Sequence, residues 1–277
     1  MRERERTAHP ERAVTGAPLL DIRNVSMRYR GTHGQDVVAL RDVTLAVEAG
    51  EFVALVGPSG CGKTTLLSII AGLAQPSEGT IALRGDPGAQ RLGHVGYMPQ
   101  RDLLLPWRKA LDNAIAGLEV RGVRREVARA RARALFQTFG LAGFERAYPA
   151  MLSGGMRQRV AFARTVLAGG DLLLLDEPFG ALDALTRANL QRWLLDIWET
   201  LEATCLLVTH DVDEALLLAD RVYVLSARPG HVRLERRVPL ERPRQLEMLA
   251  RPEVATLKAD LLAALVEETA ARESEVS

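Results

Sequence analysis

The sequence predicts an α/β fold: a mostly parallel sheet, an antiparallel β region near the N-terminus and a block of helices inserted between strands. Three observations lead there. Short apolar runs (Glu51–Val56, Leu172–Leu175, Thr204–Val208, Arg221–Leu225) alternate with helical patterns, as in a parallel sheet covered on both faces. Residues 19–29 and 43–48 alternate only partly, which suggests strands with one buried face. Residues 108–139 contain no proline and are dominated by alanine and arginine, a helical stretch that interrupts the alternation.

In chain order, residues 1–17 are charged and lack an apolar stretch, so they read as a mobile tail and not as a secretory signal. Gly50 marks a turn into the Glu51–Val56 strand. A helix is expected from Thr64 to Leu73, stopping near Gly72, then a strand at Thr80–Leu83 and a Gly/Asp/Pro turn. The arginines of 108–139 read as a solvated helix face in preference to a nucleic-acid surface. Further helices are expected at Met156–Leu167, Leu185–Leu201 and Val212–Leu218. After Pro229 a hairpin-like segment leads to a helical tail, roughly 244–272.

A chain of 277 residues with 47% hydrophobic and 26% charged residues can bury a sizeable core without staples. The net charge of +1 supplies no global field for nucleic acid or an anionic membrane. Two cysteines, Cys61 and Cys205, have no ligand spacing, which fits a reducing compartment. No apolar run approaches 18 residues, so no bilayer span is expected.

GPSGCGKTT, Gly57 to Thr65, fits G-x-x-x-x-G-K-[ST] through Gly57, Gly62, Lys63 and Thr64. Pro58, Ser59, Gly60 and Cys61 complete the loop. Its glycines let backbone N–H groups converge on phosphate oxygens, and the following helix N-terminus adds its positive dipole end. Lys63 is expected to reach the β/γ phosphates of ATP, and Thr64 to place its hydroxyl on Mg²⁺. The lysine is telling. Of 36 basic residues only Lys63, Lys109 and Lys258 are lysines, so the chain keeps one where a compact ammonium is required. Cys61 reads as incidental. The fold expectation thereby narrows to a P-loop NTPase core.

LLLLDE ends a buried strand on Asp176, where a carboxylate can act on Mg²⁺ through its shell, and places Glu177 next to it as a general base for water. His210 ends the apolar strand CLLVTH. Topology puts that strand beside the Asp176 strand, at the carboxyl edge where open α/β sheets bind ligands, so a γ-phosphate contact is expected.

At LSGGM, Leu152–Met156, the chain resembles the ATP-binding subunits of ABC transporters over roughly residues 19–230. The resemblance implies the remaining roles. Gln100, in GYMPQRDLLLPW, matches the glutamine that senses Mg²⁺ and the γ-phosphate. Ser153, Gly154 and Gly155 match the signature that closes over ATP held by the other subunit of a dimer. Asp183, in GALD, matches the D-loop, His210 the switch histidine, and Tyr29 the aromatic residue that stacks on adenine. The fifth signature position is Met156 where glutamine is usual, which removes one hydrogen-bonding option at the dimer face. The signature also has a physical sense of its own, since a serine and two glycines before a helix make another anion-binding N-terminus.

LLLPWRKALDNAIAGLEVRG, Leu103–Gly122, together with LSGGMRQR, is similar to the ATPases of nitrate, sulfonate and taurine importers. This implies a homodimer with two ATP molecules between subunits, and a separate membrane permease docked on a helical subdomain. It also implies an extracytoplasmic substrate-binding protein and a peripheral place on the cytoplasmic face of a bacterial membrane. Trp107 and Leu103–Leu105 are then either a partner surface or subdomain core. The implied division is a tail at 1–17, an ATP-binding domain at 18–235 with its helical subdomain at about 101–157, and a helical tail at 236–277. An exporter subunit, or a soluble ABC ATPase acting on nucleic acid or ribosomes, is the alternative; the single motif set and neutral charge disfavour the latter.

Overall fold

The computed structural model describes residues 17–30, 36–201 and 203–276, so the expected N-terminal tail lies almost wholly outside the described residues. The chain opens with β1 (Leu20–Arg30), β2 (Asp36–Val47) and β3 (Phe52–Val56), followed by α1 (Lys63–Ile70). Next come β4 (Glu78–Leu83) and β5 (Gly96–Met98), then α2 (Ala110–Ala114), α3 (Ala116–Val120), α4 (Arg125–Thr138) and α5 (Gly154–Ala168). The remainder is β6 (Leu172–Asp176), α6 (Ala184–Leu201), β7 (Thr204–Thr209), α7 (Val212–Leu218), β8 (Arg221–Leu225), β9 (Val232–Arg237) and α8 (Pro252–Val276).

Two sheets result. β2-β1-β4 is antiparallel, and β5-β6-β7-β3-β8-β9 is parallel except for the antiparallel edge strand β9. The central strands are apolar at every position because each face meets a separate core. Phe52, Ala54 and Val56 of β3 pack with the helices α2 to α6, whereas Val53 and Leu55 pack with α1 and the small sheet. Leu173 and Leu175 divide from Leu172 and Leu174 in the same way. Burying each such leucine stabilises the fold by about 1.5–3 kcal/mol.

The parallel sheet, the antiparallel N-terminal region and the inserted helices agree with the sequence expectation. Three details differ. β2 begins at Asp36, well before residue 43, because its pairing with β1 passes through register shifts that blur a period of two. β5 has no counterpart in that expectation; a strand of three residues carries no readable period. The alanine–arginine stretch is not one helix: it turns at Ile115 and again at Gly122, whose φ is +74°. In α4, Ala128, Ala132 and Phe136 form the buried stripe. Arg125 and Arg129 pair with Asp112, and Arg125 with Glu119, consistent with a solvated, internally paired face.

The C-terminal part clasps α7. Arg244 is buried and donates to the carbonyls of Ala219 (2.6 Å) and Leu240 (3.0 Å) and to Asp220 (3.0 Å), so a cation sits where the helix leaves its carbonyls free. Burial lowers its pKa to about 10, still far above neutrality. From α8, Lys258 Nζ donates to Asp213 Oδ2 at 2.7 Å in the first turn of α7.

Candidate active site

The phosphate loop lies between β3 and α1, and its glycines are sterically required. Gly62 caps α1 with φ +109°, and a Cβ there would stand 2.7 Å from Leu40 Cδ2 and 3.0 Å from the Ala39 carbonyl of β2. At Gly57 a Cβ would meet Cys61 Sγ at 2.8 Å. Lys63 is buried, and its ammonium donates to the carbonyls of Gly57 (2.7 Å) and Pro58 (3.0 Å). The charge is thus held inside the loop, over exposed Ser59 and Gly60. Burial pushes the Cys61 thiol up, so it is no thiolate and fits its incidental reading.

Three adjacent strands bring their carboxyl ends to this loop, in the order β6-β7-β3. β6 ends on Asp176, which is 3% exposed. Its Oδ1 accepts from Thr64 Oγ1 at 3.2 Å and its Oδ2 from the Tyr97 hydroxyl at 3.3 Å. Burial raises the Asp176 pKa, and the bonds from Thr64 and Tyr97 work against that rise. Burial, together with the Asp176 charge, pushes the Tyr97 hydroxyl up to about 12, so it remains a donor. A hydroxyl and a carboxylate side by side are the hard oxygen donors that Mg²⁺ takes. Among the described residues no group of three acidic, histidine or cysteine side chains is placed to hold a metal.

Glu177 follows in different surroundings. Its backbone has φ +44°, a left-handed conformation that costs a non-glycine residue about 1–3 kcal/mol and is typical of functional sites. Its N–H donates to the Val208 carbonyl at 2.9 Å, continuing the sheet ladder by one residue. Two side chains converge on its Oε2: Gln100 Nε2 donates at 3.2 Å, and His210 Nδ1 lies at 3.2 Å. Gln100 is exposed and His210 is 55% exposed, so this group opens to solvent while Asp176 does not. His210 stands beside the Asp176 strand as topology required, with Asp176 in register with Val208.

Sequence reasoning missed Tyr97 and Glu214. Glu214 is buried on α7, one turn beyond His210, and its Oε2 accepts from Gln191 Nε2 of α6 at 3.2 Å. Burial, reinforced by nearby Asp211, pushes its pKa up to about 8. It lines a small cavity with Glu177, Arg187 and His210. The signal available was its place on the apolar face of VDEALLL. That of Tyr97 was its position in the turn-bounded GYM before Gln100.

Ser153, Gly154 and Gly155 form a second group. Exposed Ser153 caps α5, its hydroxyl accepting from Met156 N at 3.3 Å. A Cβ on Gly155 would stand 3.2 Å from Thr186, and one on Gly154 3.4 Å from Leu182, so the signature packs on the D-loop. Asp183 caps the start of α6, accepting from Thr186 N at 3.0 Å, and that bond holds its carboxyl below the usual range. The side-chain bonds of Ser153 and Asp183 stay within their own turns and do not reach Glu177, Gln100 or His210. Tyr29 is 44% exposed on β1, opposite Val37 and two residues short of the Ala39 that touches the loop.

The segment after Gln100 is held firmly. Buried Asn113 accepts from Leu105 N (2.7 Å) and donates to the Leu105 (3.1 Å) and Arg108 (2.9 Å) carbonyls, and Arg164 donates to the Leu103 carbonyl (2.8 Å). On that frame Trp107 is 73% exposed and Leu103 57%, the latter with φ +45°, while Leu104 turns inward.

A phosphate loop on a parallel sheet, with two acidic residues and a histidine at its carboxyl edge, defines a P-loop ATPase. Residues 40–180 match the family model described as "ABC transporter". The chain is 42% identical to the formylaminopyrimidine import ATP-binding protein of Halalkalibacterium halodurans, over 91% of this chain and 98% of that protein. It is 44% identical to the nitrate import ATP-binding protein of Synechocystis, over 78% and 81% respectively. Its fold matches a dimeric ATP-binding cassette in a post-hydrolysis state bound to ADP and Pi (TM-score 0.67, 30% identity), covering 80% of this chain and all of that one. The chain belongs to the ABC transporter family, as its ATP-hydrolysing component. No helix among the described residues is long and apolar enough to cross a membrane.

Proposed function

We propose that this ATPase is the energy-coupling subunit of an importer, working as a homodimer on two ATP molecules and driving a separate membrane permease. The convergence of Gln100 and His210 on one oxygen of Glu177, beside Lys63, Thr64 and Asp176, carries the reading. Lys63 and the loop from Gly57 to Thr65 bind the phosphates. Thr64 and Asp176, with Gln100, would hold Mg²⁺, which would supply neutralisation of phosphate charge. Glu177 takes the proton of the attacking water as its oxygen bonds to the γ-phosphorus and the bond to the β-bridging oxygen breaks. With nucleotide bound, His210 would leave Glu177 for the γ-phosphate, and Gln100 would be free to serve the Mg²⁺ side of the site. Tyr29 stacks on adenine.

Ser153, Gly154 and Gly155 serve the nucleotide of the partner copy, with Asp183 at the same face. The exposure of Ser153 and Asp183, and side-chain bonds that stay within their own turns, support this. The helical insertion, about 101–157, is the subdomain that receives the permease, and Leu103 and Trp107 present apolar contact to it. The solute is a small molecule of the nitrate, sulfonate or taurine type, delivered by an extracytoplasmic binding protein. The chain sits on the cytoplasmic face of the membrane.

The test is ATP turnover by the chain with its permease in vesicles, with and without binding protein. Uptake and turnover that rise together only with binding protein support import; turnover coupled to export of the same solute, or tight nucleic-acid binding without a permease, overturns it.

A further inference from the structure

We propose that Tyr97 is a positioning residue for the metal-facing carboxylate: its hydroxyl holds Asp176 so that Oδ1 stays turned to Thr64. The proposal rests on the reading of Thr64 and Asp176 as the Mg²⁺ side chains. Each oxygen of Asp176 has one side-chain donor, Thr64 on Oδ1 at 3.2 Å and Tyr97 on Oδ2 at 3.3 Å. When a cation takes the Thr64 oxygen, the Tyr97 bond is the side-chain contact left to fix the carboxylate plane. The phenol is half-buried, which limits the orientations open to its hydroxyl.

One hydroxyl therefore ties β5 to β6 at the metal edge. The placement is specific to β5. That strand is the sheet's edge, pairs only with β6, and sets Tyr97 opposite Leu174 with its hydroxyl reaching past Leu175 to Asp176. Phenylalanine would fill the same space and leave Oδ2 without its donor, which frees the carboxylate to rotate away from Thr64.

The experiment compares the full chain, Tyr97→Phe and Asp176→Asn. It reads the affinity for a fluorescent ATP analogue by titration with and without Mg²⁺, together with Tm. We expect Mg²⁺ to strengthen binding in the unaltered chain, and Tyr97→Phe to cut that gain by about 10-fold or more, the loss of one hydrogen bond to a charged group. Metal-free affinity should stay unchanged, and Tm should fall by only a few °C. An equal Mg²⁺ gain in Tyr97→Phe overturns the proposal. So does a parallel loss of metal-free affinity and Tm, which would make Tyr97 merely structural. A Mg²⁺ gain preserved in Asp176→Asn would remove the metal reading first, and the proposal with it.

Discussion

Asp176 and Glu177 are neighbours in the chain, yet the two halves of the site they anchor are built on opposite principles. Around Asp176, which is buried together with Lys63, the groups are already engaged: Lys63 is tied to its own loop, and both carboxylate oxygens have donors. Around Glu177 the backbone is strained, one oxygen is shared by two side chains, and those side chains face solvent. The first half is preformed for binding. The second holds its reagents against one another; on the proposed reading, a γ-phosphate and a second subunit would give Gln100 and His210 other partners. On that reading a single chain is ready to take ATP and unready to cleave it, which would suit an ATPase whose turnover waits for transport.

The sharpest way to break this division is to disable one half and measure the other. Glu177→Gln keeps the shape and removes the base. Turnover should fall about 1,000-fold, while ATP binding stays near normal and a nucleotide-dependent dimer accumulates on size-exclusion chromatography. Residual turnover above a tenth would mean that Glu177 is not the base. Lys63→Ala attacks the preformed half. Nucleotide affinity should drop about 100-fold, as expected for losing charge-assisted bonds to phosphate, measured by equilibrium titration. Unchanged affinity would move the phosphate site away from the loop.

The same division explains what was legible in the sequence. The preformed half is written locally. Gly57, Gly62 and Lys63 lie within seven residues, because a tight phosphate-binding turn needs particular residues at particular offsets. Asp176 could be found because four leucines lead up to it. The support for both halves is long-range and left little trace. Tyr97 sits on a strand too short to show a period, and Glu214 reads as one acidic residue on an amphipathic helix until α6 is seen packed against it. The paired meeting of Gln100 and His210 on Glu177 needs three separate segments. The extra length of β2 and the breaks at Ile115 and Gly122 were hidden for a related reason: tertiary pairing and a left-handed glycine decided them, not periodicity.

A smaller effect should come from outside the open half. Trp107→Ala leaves every group near ATP in place, so basal hydrolysis should be unchanged. Stimulation by the permease in vesicles should weaken about 5–10-fold, in line with losing one buried aromatic anchor at an interface. Equal stimulation would make Trp107 irrelevant to docking.

The smallest effect concerns what lies behind the open half. Glu214 keeps its proton to about pH 8 in the folded chain, whereas the unfolded chain releases it near the ordinary value of 4.5. Between those values the unfolded state binds fewer protons, so stability is lost as pH rises from about 4.5, and the loss is complete above about 8. An amide at this position cannot ionise. The Glu214→Gln variant should therefore match the unaltered chain in Tm near pH 5 and exceed it by several °C near pH 8, as followed by calorimetry. Both chains keep the α6–α7 hydrogen bond from Gln191, so the gap isolates the buried charge. If the two melting curves run parallel across that range, Glu214 is ionised in the folded chain. The open half would then carry a further negative charge near Asp211 and Glu177, in the cavity that Arg187 also lines.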